Sequence, residues 1–387
     1  MADSSTLYSH IIQFIKKKIF DGEYQPGMKL PSELELAEMF NVSRITSKRA
    51  LDELEGQQLI FRKRGSGSFV NFRTEGSVSA VGIPRENDLI VMIMPFDVLG
   101  GRFIEITQSA TNILNHHGYH LLLYSTHKDL NKERELLLQA QEKGARGVIL
   151  YPYKNNKNYE TLYKLWLEKF PIITIDKRIY DIPISSIISD SFKGTFDLTK
   201  CLLEKGHRRV AFVSECGMDD MSSVKSRYFG YCSALSESGI AIDEKLVVNG
   251  YLDGDLQEVS SEEKKESTTE LVKKLISSGV TAVVAVNDYI AFNIINACNF
   301  LGLSVPKDLS VVGFDNLELS EFFNPALTTA EQDFNRIGTL AAQLILEKIA
   351  GNSSGETHHT IPVNVILRDS VCEPGKESPK SFGSGIA

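Results

Sequence analysis

TAVVAVNDYIAFNIINACNFLGLSVPKDLSVVGFD, residues 281–315, reads as one repeating unit. A short apolar strand ends at Asn287-Asp288, an amphipathic helix runs through Tyr289–Leu301, and a second apolar strand ends at Asp315. Strands that are continuously apolar, rather than alternating, fit a sheet covered on both faces. Two such strands joined by a helix must lie parallel, because only a crossover returns the chain in the same direction.

The same texture extends upstream. LIVMIMP (89–95), HLLLYS (120–125), GVILYP (147–152), IITID (172–176), SSIISD (185–190) and RRVAFVS (208–214) read as strands. Helices are predicted between them through 104–116, 132–142, 194–204 and 227–238. The fold class is therefore α/β, with doubly wound parallel sheets. Open sheets of this kind bind ligands beyond the carboxyl ends of their strands. Several strands here end in a polar residue: Asp176, Asp190, Asn287 and Asp315. The polar stretch 253–268 reads as a solvated loop or helix start, and His358-His359 as part of a polar loop.

Residues 1–72 have a different texture. LYSHIIQFIKKKIF (7–20) has helical spacing, with Lys16 to Lys18 on the wet side. Ser32 with Glu35 is a capping-box pattern opening a short helix. Asn41-Val42-Ser43 is a tight turn, Ser43 caps a second helix, and LIFRKRGSGSFVNF (59–72) reads as strand, glycine turn, strand. Two helices across a tight turn followed by a hairpin form a winged helix-turn-helix, whose second helix presents its first turns to the major groove. Arg44 can fork onto guanine O6 and N7. Ser43 and Thr46 share its turn, Lys48 shares its face, and Arg49 is rotated away toward phosphate. Arg64, Gly65 and Gly67 form a wing tip that can lie along the sugar-phosphate backbone.

Charge agrees with this division. Residues 1–73 carry 11 Lys and Arg against 9 Asp and Glu, while the whole chain of 387 residues has a net charge of −8. A basic head on an acidic body suits a DNA reader with a separate sensing module. The five cysteines are scattered without metal spacing and read as free thiols in a reducing cytoplasm. No apolar run is long enough for a transmembrane helix, and the N-terminus lacks a secretory pattern. His116, His117, His120 and His207 lack ligand spacing, so no metal is expected. No phosphate-binding glycine motif opens a helix and no catalytic set is ordered, so no cofactor and no enzyme activity are expected.

Pro31-Ser32-Glu33, Leu36-Ala37, Val42-Ser43-Arg44, Thr46, Ala50-Leu51, Leu54 and the wing Gly65–Val70 resemble the GntR-family winged helix. The resemblance implies base contacts from Arg44, Thr46 and Lys48, and wing contacts at Gly65 and Gly67. Leu34 stands where that family often has Arg, and Lys48 replaces a common Arg, which removes the bidentate fork. GARGVILYP, SSIISDSFKG, EKGHRRVAFVS, SVKSRYFGYCSAL, AVVAVNDYIAFNII, LGLSVPKDLSVVGFD and ALTTAEQDF resemble the LacI/GalR-family regulatory domain. That resemblance implies a two-lobed, periplasmic-binding-protein-like fold with three crossovers. It also implies a sugar in the cleft, contacted by Phe103, Asp176, Asp190, Arg227, Asn287 and Asp315, with Gln332 nearby.

The expected domains are a DNA-binding head at 1–72, a linker at 73–87, a ligand body at 88–372 and a disordered tail at 373–387. Lobe 1 is expected at about 88–189 plus a return segment, and lobe 2 at about 190–315 plus a C-terminal segment. The expected partners are double-stranded operator DNA, a sugar effector and a second copy of the chain in a homodimer. The same module order occurs in sugar-responsive repressors of Gram-positive bacteria, which makes L-arabinose the first effector to test. A transport-type sugar-binding protein is the alternative, but it needs a signal peptide and no DNA head. A sugar-converting enzyme needs a catalytic set.

Overall fold

A computed structural model describes residues 4–20, 24, 27–56, 59–63, 67–70, 88–95, 101–154, 157–219, 221–251, 261–351 and 355–375. The chain forms two compact units, Met1–Ile83 and Pro84–Ala387. Arg64 and Gly65, the expected linker 73–87, and the tail from 376 onward lie outside the described residues.

The head contains α1 (Ser4–Phe20), α2 (Glu33–Met39), α3 (Arg44–Gly56), β1 (Ile60–Lys63) and β2 (Gly67–Val70). The capping box at α2 is complete: Ser32 N donates to Glu35 Oε2 at 2.7 Å and Glu35 N donates to Ser32 Oγ at 3.3 Å. Such a box satisfies two helix-end donors reciprocally, and losing the cap costs about 1 kcal/mol. Ile11, Ile15, Leu36, Leu51, Leu54 and Ile60 form one buried core. β1 and β2 pair antiparallel from Ile60↔Val70 to Lys63↔Gly67. Leu30 N bonds Ser68 O and Val70 N bonds Met28 O, so the segment before α2 braces the wing.

The body begins with β3 (Leu89–Met94), α4 (Ile104–His116), β4 (His120–Ser125), α5 (Leu130–Glu142), β5 (Gly147–Leu150), α6 (Tyr159–Leu167), β6 (Ile172–Ile175) and β7 (Ser185–Ser189). It continues with α7 (Ser191–Glu204), β8 (Val210–Ser214), α8 (Ser222–Glu237), β9 (Val247–Asn249), α9 (Ser261–Ser277), β10 (Ala282–Ala285), α10 (Asp288–Phe300), β11 (Ser310–Asp315), α11 (Leu319–Phe322) and β12 (Thr328–Glu331). Then α12 (Phe334–Ile349), β13 (His358–Ile361) and β14 (Asn364–Ile366) complete it.

Two six-stranded sheets result. Lobe 1 has the order β13-β7-β6-β5-β3-β4, and lobe 2 has β14-β12-β11-β10-β8-β9. All pairings are parallel except β12 with β14. The chain crosses between lobes three times: after β7 into α7, after β12 into α12, and between β13 and β14. This is the α/β arrangement expected from the alternation, in the two lobes that the LacI/GalR resemblance implies. Two boundaries differ. Lobe 2 runs on through β12 to Glu331 rather than ending near Asp315, because the TTAE segment pairs with β11. His358-His359 lie in a strand paired with β7 rather than in a loop; their period is that of the sheet edge and not that of a turn.

One close approach fixes the geometry that matters later. Gly230 of α8 sits so near α7 that a Cβ there would lie 2.3 Å from the Phe192 carbonyl oxygen. The two helix backbones touch, and Arg227, one turn earlier on α8, is thereby held beside Ser191 at the start of α7.

Candidate functional site

The head presents one surface and the body one cleft; each is built within its own unit. In the head, Ser43 Oγ accepts from Thr46 N at 3.2 Å and pairs with Thr46 Oγ1 at 2.9 Å, which starts α3. Arg44 projects from the first turn with its side chain 73% exposed, steadied by Glu33 at 3.2 Å. Lys48 and Arg49 are both exposed. Arg49 lies 5.0 Å from the Tyr8 ring of α1 and so faces away from Arg44. Arg62 is committed inward, to Asp52 at 2.8 Å, Glu55 at 3.4 Å and Glu33 at 3.6 Å. Gly67 opens β2 at φ 109, a conformation that favours glycine. Ser32, Glu33, Leu34, Arg44, Arg62, Lys63, Gly67 and Ser68 line a surface groove between the wing and the recognition helix. Arg64 and Gly65 lie outside the described residues.

In the body a cavity of about 330 Å³ opens at the carboxyl ends of both sheets. Phe103, Asp176, Arg227, Asn287 and Asp315 line it together. Asp190 and Gln332 are not among its lining residues. Asp190 instead caps α7, accepting from Lys193 N at 2.9 Å, because β7 leads directly into the first crossover. Gln332 stands behind the cavity wall. Its Nε2 donates to Asp315 Oδ1 at 2.6 Å and its Oε1 accepts from Ser189 Oγ.

Arg227 and Asp315 form the centre. Arg227 is in the second turn of α8, not at its start, and is buried. Its guanidinium donates to Val286 O at 2.6 Å, to Ser191 Oγ at 3.4 Å and to Asp315 Oδ1 at 3.4 Å, and stacks 3.7 Å from the Phe314 ring centre. Three contacts of five donors leave the fork room for a ligand oxygen. Burial pushes the Asp315 carboxyl up to about 7, against the pull of Arg227 and with a further push from Asp288. Asp288 itself is raised to about 6 by burial, against hydrogen bonds from Ser320, Thr329 and Leu317 N. Asp176 and Asp315 both hold positive φ, 66 and 116, at the ends of β6 and β11. Such conformations are strained for non-glycine residues and cluster at ligand sites.

The charged and aromatic lining residues that escaped the sequence reading are Lys128, Tyr151, Tyr153, Lys177, Glu215 and Tyr289. Tyr151, Lys177 and Glu215 each follow the end of a parallel strand by one or two residues. The rule that ligands sit beyond strand ends would have found them, had it been applied to every residue type rather than to Asp and Asn alone. Lys177 Nζ bonds Asp176 at 3.0 Å and lies 4.5 Å from the Tyr151 ring centre. Contacts bridge the lobes near the cavity: Arg102 of lobe 1 donates to Glu331 at 2.6 Å and to the Asn316 carbonyl at 3.5 Å, both in lobe 2, and Arg178 N donates to Ser222 Oγ at 3.1 Å.

Among the described residues no group of three His, Cys, Asp or Glu side chains is placed to hold a metal ion. His207, one of the histidines weighed for metal, bridges Thr281 Oγ1 and Cys372 O at 2.9 Å each. Among the described residues no helix is long and apolar enough to cross a membrane.

Residues 7–70 match the family model for bacterial regulatory proteins of the gntR family, and residues 199–371 match that for a periplasmic binding protein-like domain. The chain is 28% identical over 383 residues to an arabinose metabolism transcriptional repressor of Halalkalibacterium halodurans, covering 96% of this chain and 98% of that one. A repressor of the same description from Geobacillus stearothermophilus is 29% identical over 356 residues, covering 89% and 92%. Among solved structures, a LacI family transcriptional regulator from Enterococcus faecium, with bound ribose, aligns with a TM-score of 0.62 at 23% identity, covering 74% of this chain and 100% of that one. Residues 7–70 thus carry a gntR-family winged helix-turn-helix and residues 199–371 a periplasmic binding protein-like domain, in a chain that is similar over almost its whole length to transcriptional repressors.

Proposed function

We propose that the protein is a cytoplasmic repressor of carbohydrate-utilisation genes that leaves operator DNA when a small neutral sugar, L-arabinose first among candidates, binds its body. The observation that carries this reading is the interlobe cavity centred on Arg227 and Asp315, in a chain that begins with a DNA reader. Once Asp315 is ionised, above about pH 7, Asp176, Glu215 and Asp315 balance Lys128, Lys177 and Arg227 around the cavity. Such a lining suits an uncharged ligand with many hydroxyls, because a phosphate or carboxylate would meet three carboxylates with no excess of cations. Phe103, Tyr151, Tyr153 and Tyr289 offer faces for the C–H side of a sugar ring.

In this reading Arg227 and Asp315 grip ring or hydroxyl oxygens, Asn287 and Asp176 contact further hydroxyls, Phe103 packs on the ring, and Gln332 holds Asp315 in place. In the head, Arg44 reads guanine, Ser43, Thr46 and Lys48 contact neighbouring bases or backbone, and Arg49, Arg64, Gly65 and Gly67 contact phosphates. A homodimer presents two heads to a palindromic site. Closure of the lobes on the sugar alters the spacing of the heads, which requires the sugar to bind one state more tightly than the other.

A thermal-shift screen of the full chain against neutral monosaccharides and their phosphates tests the ligand class. A cognate sugar at 100 times its Kd stabilises by about 2.7 kcal/mol. Stabilisation by a sugar phosphate, with no response to any neutral sugar, would overturn the proposal.

A further inference from the structure

Glu215 follows the last residue of β8, at the point where Ser214 Oγ accepts from Cys216 N at 3.2 Å and donates to Cys216 O at 2.9 Å. This small turn fixes the backbone where Glu215 lines the cavity. Oε1 accepts from Asn287 Nδ2 at 3.2 Å. Asn287 is itself anchored, since its Oδ1 accepts from Ile290 N at 2.9 Å as the cap of α10. Oε2 is buried and has no hydrogen-bond partner among the described residues. A buried acceptor without a donor is destabilising, and its persistence at a ligand cavity points to a donor supplied from outside the chain.

We infer that Glu215 Oε2 accepts a hydrogen bond from one hydroxyl of the bound effector and so selects which hydroxyl pattern the cleft retains. The inference rests on the sugar reading above. Three features specify the donor. A carboxylate accepts only, so the ligand must donate. Lys128 and Arg227 already act on the Glu215 carboxyl, so a ligand ammonium at this spot would add a third cation beside those two. The anchored Asn287 prevents the carboxyl from rotating away, so the lone pair has a fixed direction. Burial raises the Glu215 carboxyl, with its own backbone N–H, Asn287, Lys128 and Arg227 pulling it back, and a ligand hydroxyl would act in the same direction as those four.

The position does not resemble a stability element. Glu215→Gln keeps an acceptor for Asn287 Nδ2 and should melt near the wild-type temperature, whereas Glu215→Ala relieves the unpartnered oxygen but also deprives Asn287 Nδ2 of its acceptor and should melt no more than slightly lower. Ligand binding should respond differently. Calorimetric titration of the full chain with L-arabinose, D-ribose and D-xylose identifies the sugar the wild type binds best, and its monodeoxy analogues are then titrated on all three proteins. Hydrogen bonds to charged groups carry roughly ten- to hundredfold in affinity. Glu215→Gln should weaken the parent sugar about tenfold or more. One monodeoxy analogue should lose that factor on the wild type, yet bind Glu215→Ala about as well as the parent does. If every analogue loses the same factor on wild type and Glu215→Ala, Glu215 touches no ligand hydroxyl and the inference fails while the sugar reading stands. If the wild type binds none of the three sugars and no other neutral monosaccharide of the thermal-shift screen, the sugar reading fails first, and the inference falls with it.

Discussion

The head and the cleft are built on opposite plans. The head's cations stand out from one helix and one hairpin that are neighbours in sequence, and Arg44 reaches solvent with 73% of its side chain exposed. The cleft's polar groups come from strand ends scattered between Pro95 and Asp315, and they hold one another before any ligand arrives. An exposed reading surface changes affinity without changing stability, whereas a buried network carries both. Substitutions in the two regions should therefore separate cleanly.

The largest effect is expected at Arg227. Above about pH 7, where Asp315 is ionised, Arg227→Ala leaves it buried without its cation, a loss of about 3–5 kcal/mol for a broken buried pair. Urea unfolding of the body should show this, together with loss of sugar binding; an unchanged midpoint would break the comparison. Next comes the pH response of the same pair. Folded Asp315 keeps its proton up to about 7, whereas an unfolded Asp releases it near 3.8. Its contribution to stability is therefore full below about pH 4 and lost as pH rises through 7, and Asp288 adds a parallel loss up to about 6. Asp315→Asn should flatten that decline by an amount on the order of a few kcal/mol, read from denaturant midpoints between pH 4 and 8.

The head should respond in the other way. Arg44→Ala removes a forked base contact and should weaken operator binding by about 1–3 kcal/mol in fluorescence anisotropy. The melting temperature of the head should stay put, since an exposed pair with Glu33 contributes less than about 1 kcal/mol. A large drop in melting temperature would show that Arg44 is structural. The smallest effect is expected where the lobes meet. Arg102→Ala cuts the half-exposed bridge to Glu331, which should cost under about 1 kcal/mol in stability and shift the sugar midpoint only a few-fold. A shift of a hundredfold or more would make that bridge, rather than the Arg227–Asp315 centre, the main control on closure.

Much of this was legible beforehand, and unevenly so. Local patterns translated directly: the Ser32–Glu35 box, the Ser43 start of α3, and the apolar strands ending at Asp176, Asn287 and Asp315. These depend on residues close in sequence. The cleft did not translate in full, because its membership depends on which strand ends share a face. Asp190 ends a strand like the others, yet the crossover after β7 makes it a helix cap. Gln332 came close, one layer behind the ligand wall. Tyr151 and Glu215 follow strand ends and were within reach of the strand-end rule, whereas Tyr153 and Tyr289 carry no local signature until the sheets are assembled. The TTAE strand and the helix Phe334–Ile349 were likewise not read, because their places are set by partners far along the chain.

The central claim is that the cleft governs the head. The direct measurement is operator affinity of the full chain, by anisotropy at fixed salt, with and without a sugar already shown to bind. The account predicts at least a tenfold weaker Kd for DNA at saturating sugar, abolished in Arg227→Ala. An operator affinity that stays the same while the sugar is demonstrably bound would contradict it.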